Sequence, residues 1–557
     1  MKKVLKYSVI VCICFLAIVI TDGCKKQDIK LTTTDDVNIV DYLRRYPEKF
    51  SEYVKVLDKT NISPFLNAYG TYTVFAPTNN AIKIYLAQIG KSSVDEIDTA
   101  DLKNIARLHT IIDTLSTQTF TDGKMSTPTM FGQFLITSVD KGITVVNRQA
   151  NIIESNIRTG NGIIHVIDGV LQPAKLTLAK LIEQDSKFSI FTQALKATGF
   201  YDSINIANNT DTTRRWLTLL AESDSVLRIA GINSYAGLVS KYNNTGNPKN
   251  PNDSLFLYVA YHILPGLKYL GDLVNLPSHP SLAPLTVINA ELVNQSVVLN
   301  QATFNGAFEA GIAIDRLNSD RSATNGVMHS LLGNIFLKVR TPVRVDFDVA
   351  AQPEVIRLTS IYRKPGKFVD FALGELKNVT WQNSNVRAFS YFCEASTSSN
   401  NYWFDDQFST NLRFGNAAAN NWIEFVTPLI VRGKYKVWIC YRRANMGAFT
   451  QVSFNGVPTP RIVDFTVTLP STSATDAVLE SLSFKRYSFN NPNGNNVGQL
   501  AGVIDVATTD RHRIRFTAIR DNGSGLTNQV TLDFIQFIPI DAVQTRPVYA
   551  RDGTIVP

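Results

Sequence analysis

"NGIIHVIDGVLQP", from Asn161 to Pro173, returns as "NGVMHSLLGNIFL" from Asn325 to Leu337. Each copy sets Asn-Gly ahead of an apolar run that one histidine interrupts, His165 or His329. Such a run reads as a buried strand, with glycines near its ends. The spacing between the copies is too long for a solenoid repeat and suits a whole domain. Matched pieces continue upstream. "DYLRRYPEKFSEYVKVLDKTN" from Asp41 runs parallel to "KLIEQDSKFSIFTQALKATG" from Lys180. Phe50, Val54 and Leu57 fall at helical spacing on one face, as do Phe188, Thr192 and Leu195. A lone histidine then recurs, His109 in "IARLHTII" and His262 in "YVAYHILPG". Four landmarks in one order make a duplicated domain.

The first copy also holds "YGTYTVFAPTNNAI" (69–82), which alternates in polarity and meets a proline, as a strand ending at a turn does. These residues resemble the fasciclin (FAS1) domain. Its first signature is matched from Thr73 to Ile82, with Ile82 where phenylalanine is usual, and its second from Asn161 to Pro173. The family's Tyr-His pair stands here as Leu108-His109 and as Tyr261-His262. The resemblance implies an α+β FAS1 domain over 37–174 and a divergent second one over 175–340. In the second, the first signature is reduced to "WLTLLAESDSVL" (216–227), and Val166-Ile167-Asp168 becomes Ser330-Leu331-Leu332. It further implies contact with protein or matrix, and a structural role for His109, His165, His262 and His329. A zinc site would need several close ligands at metal spacing, whereas each copy has two distant histidines and no supporting cysteine.

The N-terminus reads as an export signal. "MKKVLK" is basic, and Tyr7 to Ile20 is an apolar run shorter than the roughly 20 residues a span needs. "TDGC" follows and resembles a bacterial lipobox, although Thr21 and Asp22 depart from its usual pattern. It implies a signal peptide over 1–23, lipidation of Cys24 and a tether over 24–36. Of five cysteines, only Cys393 and Cys440 remain beyond this region, and either a disulfide or two buried thiols is open. The formal charge of +8 is modest for 557 residues, and the basic residues occur singly or in pairs such as Arg214-Arg215 and Arg442-Arg443. That pattern points to a solvated surface and away from nucleic acid.

After about Thr341 the texture changes to period-2 alternation between Gly/Asn/Pro loops, which predicts an antiparallel sandwich over 341–557. In "GKYKVWICYRR" (433–443), Tyr435, Val437, Ile439 and Tyr441 share one face, and Lys434, Lys436, Trp438 and Cys440 the other. The order and rhythm of these strands resemble the galactose-binding-like jelly roll that carbohydrate-binding modules often use. Glycan recognition needs flat aromatic faces beside planar polar groups. Trp381, Trp403, Trp422 and Trp438 lie in this third, and "SSNNYWFDDQF" (398–408) crowds Tyr402, Trp403 and Phe404 into a polar stretch. Tyr402, Trp403 and Trp422 are therefore candidate ligand-binding residues, against the plainer reading that such rings plug the sandwich rim. Asn528 sits near where related modules place a sugar-binding polar group. Asp405-Asp406 reads as a solvated turn ahead of a calcium site.

No Walker A run, Rossmann fingerprint, GxSxG elbow or HExxH occurs. Neither cofactor, metal nor catalytic residue is expected. A distant carboxylate pair for glycoside hydrolysis leaves an enzyme as the alternative, and a purely structural envelope spacer is another. The layout looks like that of Bacteroidetes-type lipoproteins that accompany outer-membrane glycan importers. The expectation is a surface-exposed, outer-membrane lipid-anchored binder of polysaccharide or of envelope or matrix protein.

Overall fold

The computed structural model describes residues 37–556, apart from 68–69, 141, 399, 417 and 523–527. The expected signal peptide, Cys24 and tether lie outside the described residues. The chain divides into two compact units after Pro173.

In the first unit, α1 (Ile39–Arg45) leads directly into α2 (Pro47–Lys59), with proline in the first turn where its missing N–H costs nothing. α2 buries Phe50, Tyr53, Val56 and Leu57. Each such ring or aliphatic group removed from water stabilises the fold by roughly 1.5–3 kcal/mol. β1 (Tyr72–Pro77) is buried along its whole length, and Thr78 caps α3 (Asn79–Gln88) by accepting from the Ala81 N–H at 3.1 Å. α4 (Thr99–Leu108) ends at His109. β2 (Gly162–Ile167) then pairs with β1 in parallel, from Tyr72↔Gly162 to Pro77↔Ile167, inside a seven-stranded sheet. Burial of both neighbours explains why the apolar run is nearly unbroken.

The second unit begins with the same plan. α5 (Ser189–Thr198) packs its apolar face inward, and β3 (Leu217–Glu222) is the counterpart of β1. α6 (Ser254–Tyr261) ends at His262, and β4 (Gly326–Leu331) pairs with β3 in parallel over six aligned positions. The decayed signature in the second copy thus still forms its strand.

These pairings explain the repeated Asn-Gly. A Cβ on Gly162 would lie 2.0 Å from the Tyr72 carbonyl oxygen, and one on Gly326 2.1 Å from that of Leu217. Only glycine lets the neighbouring backbone approach so closely. Asn161 Oδ1 accepts from the Ile39 N–H at 2.9 Å, while its Nδ2 donates to the Leu66 carbonyl. Asn325 Oδ1 accepts from the Leu178 N–H at 2.9 Å, and its Nδ2 donates to Ile204 O at 2.8 Å and Ile206 O at 3.1 Å. Each asparagine ties the last strand to the first helix of its repeat.

The rest of the second unit comprises β5 (Val345–Asp348), β6 (Phe368–Phe371), β7 (Val379–Trp381), β8 (Phe389–Cys393), β9 (Asp406–Asn411), β10 (Trp422–Ile430), β11 (Gly433–Arg442), β12 (Phe449–Phe454), β13 (Val457–Asp464), β14 (Phe484–Lys485), β15 (Asn496–Val506), β16 (Asp510–Arg520) and β17 (Gln529–Pro539). One antiparallel sheet runs β6-β8-β9-β17-β11-β15-β14, with β5 continuing the edge of β17 where β9 stops. The other runs β7-β10-β16-β12-β13. Phe408, Tyr435, Val437 and Phe537 of the first sheet share one core with Phe425, Val452 and Phe516 of the second. The opposite face of β11 is covered as well. Trp438 and Cys440 are buried in a second, smaller cluster with Tyr487, Phe534, Ile538 and Tyr549. The C-terminal segment that carries Tyr549 covers this face. Cys393 and Cys440 are separate buried thiols.

Candidate functional site

The four signature histidines occupy two recurring positions. His109 and His262 end α4 and α6, and each Nδ1 donates to a carbonyl four residues back, Ile105 O at 2.8 Å and Tyr258 O at 2.7 Å. Their own carbonyls accept from Phe75 N and Leu220 N at 2.9 Å. His109 Nε2 accepts from the Leu171 N–H at 3.1 Å, so the ring is neutral, and burial holds its pKa down to about 4. His262 Nε2 instead meets Glu222 Oε1 at 2.9 Å, with both residues fully buried. His165 and His329 stand on β2 and β4, where Nε2 donates to Leu115 O at 2.9 Å and Lys268 O at 2.8 Å. Their Nδ1 atoms accept from the N–H groups of Asn156 and Asp320, both of which have positive φ. Each ring is fully buried, with both nitrogens engaged inside the fold.

The aromatic candidates are dispersed. Tyr402 is 3% exposed, so its ring cannot be the stacking platform expected for a sugar. Trp403 is half-buried against Phe534 and Tyr549, with centroids 5.1 and 4.8 Å away, and its Nε1 donates to Gly553 O at 3.4 Å. It holds the C-terminal segment down. Trp422 is half-buried on β10 with the Arg515 guanidinium 4.1 Å above its ring. Asn528 is corrected as a ligand group. It is buried, its Oδ1 accepts from Asn522 N at 2.9 Å, and its Nδ2 donates to Asp521 Oδ1 at 2.5 Å. The solvated-turn reading of Asp405-Asp406 is also corrected. Asp405 pairs with Arg551, whereas Asp406 is buried, accepts from the Tyr391 hydroxyl at 3.1 Å and lies 3.5 Å from Arg363 Nε. Burial and the neighbouring Asp348 push the Asp406 carboxyl up.

Tyr402 does line a cleft, one of about 340 Å³ on the outer side of the larger sandwich sheet. Its walls are almost wholly polar: Arg442 and Arg443 at the end of β11, Gln407 on β9, Gln529 and Thr531 on β17, and Asn400, Asn445 and Asn495 from loops. Arg442 meets the Tyr402 hydroxyl, and Arg443 Nε donates to Asn495 Oδ1 at 3.2 Å. Neither arginine forms an ion pair among the described residues. Behind them Glu394 accepts from Ser398 Oγ at 2.6 Å, Asn400 Nδ2 at 3.1 Å and Gln407 Nε2 at 3.2 Å, while the buried Gln407 Oε1 keeps no partner. Planar guanidinium and carboxamide groups of this kind suit a ligand rich in hydroxyls and carboxylates. The sequence showed Arg442-Arg443 only as a scattered basic pair. Their place at the end of a strand, together with the asparagines at 400, 445 and 495, was the available signal.

Comparison with known proteins places the fasciclin assignment in the first unit. Residues 48–173 match the Fasciclin domain family. The protein sll1483 of Synechocystis is 28% identical over 149 residues, 27% of this chain and 81% of that protein. Transforming growth factor-beta-induced protein ig-h3 of Sus scrofa is 24% identical over 324 residues, covering 56% of this chain and 41% of its own length. The chain thus spans less than half of that larger relative. A solved FAS1 domain pair from the insect cell adhesion molecule Fasciclin I covers 54% of this chain and 97% of that structure, at 19% identity and a TM-score of 0.25. A TM-score this low leaves the assignment to the family match. The chain therefore contains a FAS1 domain within a multidomain, β-rich molecule.

Proposed function

We propose that this is a non-enzymatic adhesion protein of the cell envelope that holds an acidic polysaccharide in the Arg442–Arg443 cleft. The carrying observation is a pair of guanidinium groups with no carboxylate partner among the described residues, set among carboxamides. The FAS1 domain supports a binding role, with the repeat at 175–340 as a second, divergent copy that contacts protein. The sandwich at 341–557 is read as a jelly roll serving as the glycan module. Lipidation at Cys24 would anchor the chain at the outer membrane. Titration of the full chain against uronate-bearing and neutral polysaccharides tests the reading. Binding should favour the acidic polymers and weaken at least about tenfold in Arg443→Ala, since a charged hydrogen bond contributes about 1.5–3 kcal/mol. Equal affinity of the variant, or turnover of a polymer, would overturn it.

A further inference from the structure

Lys485 is fully buried on the edge strand β14, yet among the described residues no carboxylate pairs with it directly. It pairs with Gly498 on β15, where a Cβ would stand 2.5 Å from Lys485 Cγ. The missing side chain lets the lysine stem lie flat across the sheet towards β17. Its Nζ ends against Gln536 Oε1 and the Gln544 carbonyl at 3.0 Å, both neutral acceptors, with the Trp438 ring centroid 5.3 Å away. Gln536, also 0% exposed, donates from Nε2 to Asp346 Oδ1 at 2.8 Å and to the Tyr549 hydroxyl at 2.9 Å. Tyr487, Phe534 and Tyr549 complete an aromatic shell.

We propose that Lys485 and Gln536 join in an intramolecular isopeptide bond, with Asp346 holding the leaving nitrogen. The Lys485 Nζ lone pair attacks Gln536 Cδ, and the carbonyl π electrons move to Oε1. The proton leaves Nζ for Oε1, its hydrogen-bond partner, and passes to Nε2 as the carbonyl re-forms, while Asp346 Oδ1 holds Nε2 at 2.8 Å. As the carbonyl re-forms, the Cδ–Nε2 bond breaks and ammonia leaves. Amine plus primary amide gives secondary amide plus ammonia, so neither oxidant nor reductant is needed. The site supplies what this step requires. Burial holds the Lys485 amine down to about 8, which raises the share of the nucleophilic neutral form well above that of an exposed lysine. Apolar walls exclude the water that would compete. Asp346 is the acid within reach of the leaving group, and Arg344 fixes it at 3.0 Å. The bond would bridge β14 to β17 over the intervening β15 and β11, closing a long loop in a domain whose two cysteines remain unpaired.

Peptide mapping of the purified, denatured full chain decides the matter. The expected result is a branched tryptic peptide joining the segments of Lys485 and Gln536, lighter than their sum by one ammonia, with no cleavage after Lys485. Fragmentation must place the junction at these two residues, which separates it from succinimide formation at an asparagine. Asp346→Asn, checked for folding by circular dichroism, should yield the two linear peptides instead. Intact linear peptides from the folded wild-type chain would overturn the proposal. A branched peptide at undiminished yield in Asp346→Asn would overturn the role of Asp346.

Discussion

His109 and His262 occupy one position in two copies, and the difference between them lies in what faces Nε2. Around His262 the acceptor is Glu222, which also takes the Tyr258 hydroxyl at 2.7 Å, Asn334 Nδ2 at 2.7 Å and the Ile335 N–H at 2.6 Å. Glu222→Ala strands all four donors in a dry interior. It is expected to cost about 3–5 kcal/mol, read from the denaturant midpoint of the full chain. His109 has only backbone partners and is held neutral. Between its ordinary pKa of 6.5 and the folded value of about 4, the unfolded chain binds a proton that the fold refuses. Stability is therefore whole above pH 6.5 and falls as pH drops towards 4, by up to about 3 kcal/mol. Burial shifts His165 the same way. Denaturant midpoints at pH 7 and pH 5 should show the fall, and His109→Gln should reduce it.

At the scale of elements, the parallel pairs β1–β2 and β3–β4 each depend on one glycine. Gly162→Ala drives a methyl into the Tyr72 carbonyl, and a loss of about 3 kcal/mol is expected by chemical denaturation. These strands were legible because their apolar runs are local. The alternation of β11 likewise placed Tyr435, Val437, Ile439 and Tyr441 on the core side. It could not reveal that Trp438 and Cys440 are covered, because the cover comes from a segment about a hundred residues later, bound through Gln544 Oε1 to Trp438 Nε1 at 3.0 Å. The cleft was hidden for the same reason. Gln407, Arg443, Asn495 and Gln529 are remote in sequence and meet only when the sheet forms. The burial of Asn528 was not legible, because polar surroundings in sequence say little about which side chains a sandwich end will bury.

For the whole molecule, the division after Pro173 carries an expectation of its own. Segments 37–173 and 174–557, expressed apart, should each melt cooperatively, and their calorimetric transitions should reproduce those of the full chain. The route of the chain through the repeats then has a mechanical meaning. Val37 O accepts from Gly160 N at 2.9 Å, and Leu176 O from Thr324 N at 2.9 Å, so the chain enters each repeat beside the start of its last strand. It leaves beyond that strand's other end. Tension between entry and exit therefore runs along β2 or β4 and loads all six pairs of the parallel ladder in shear at once, where an unzipping pull would break them one by one.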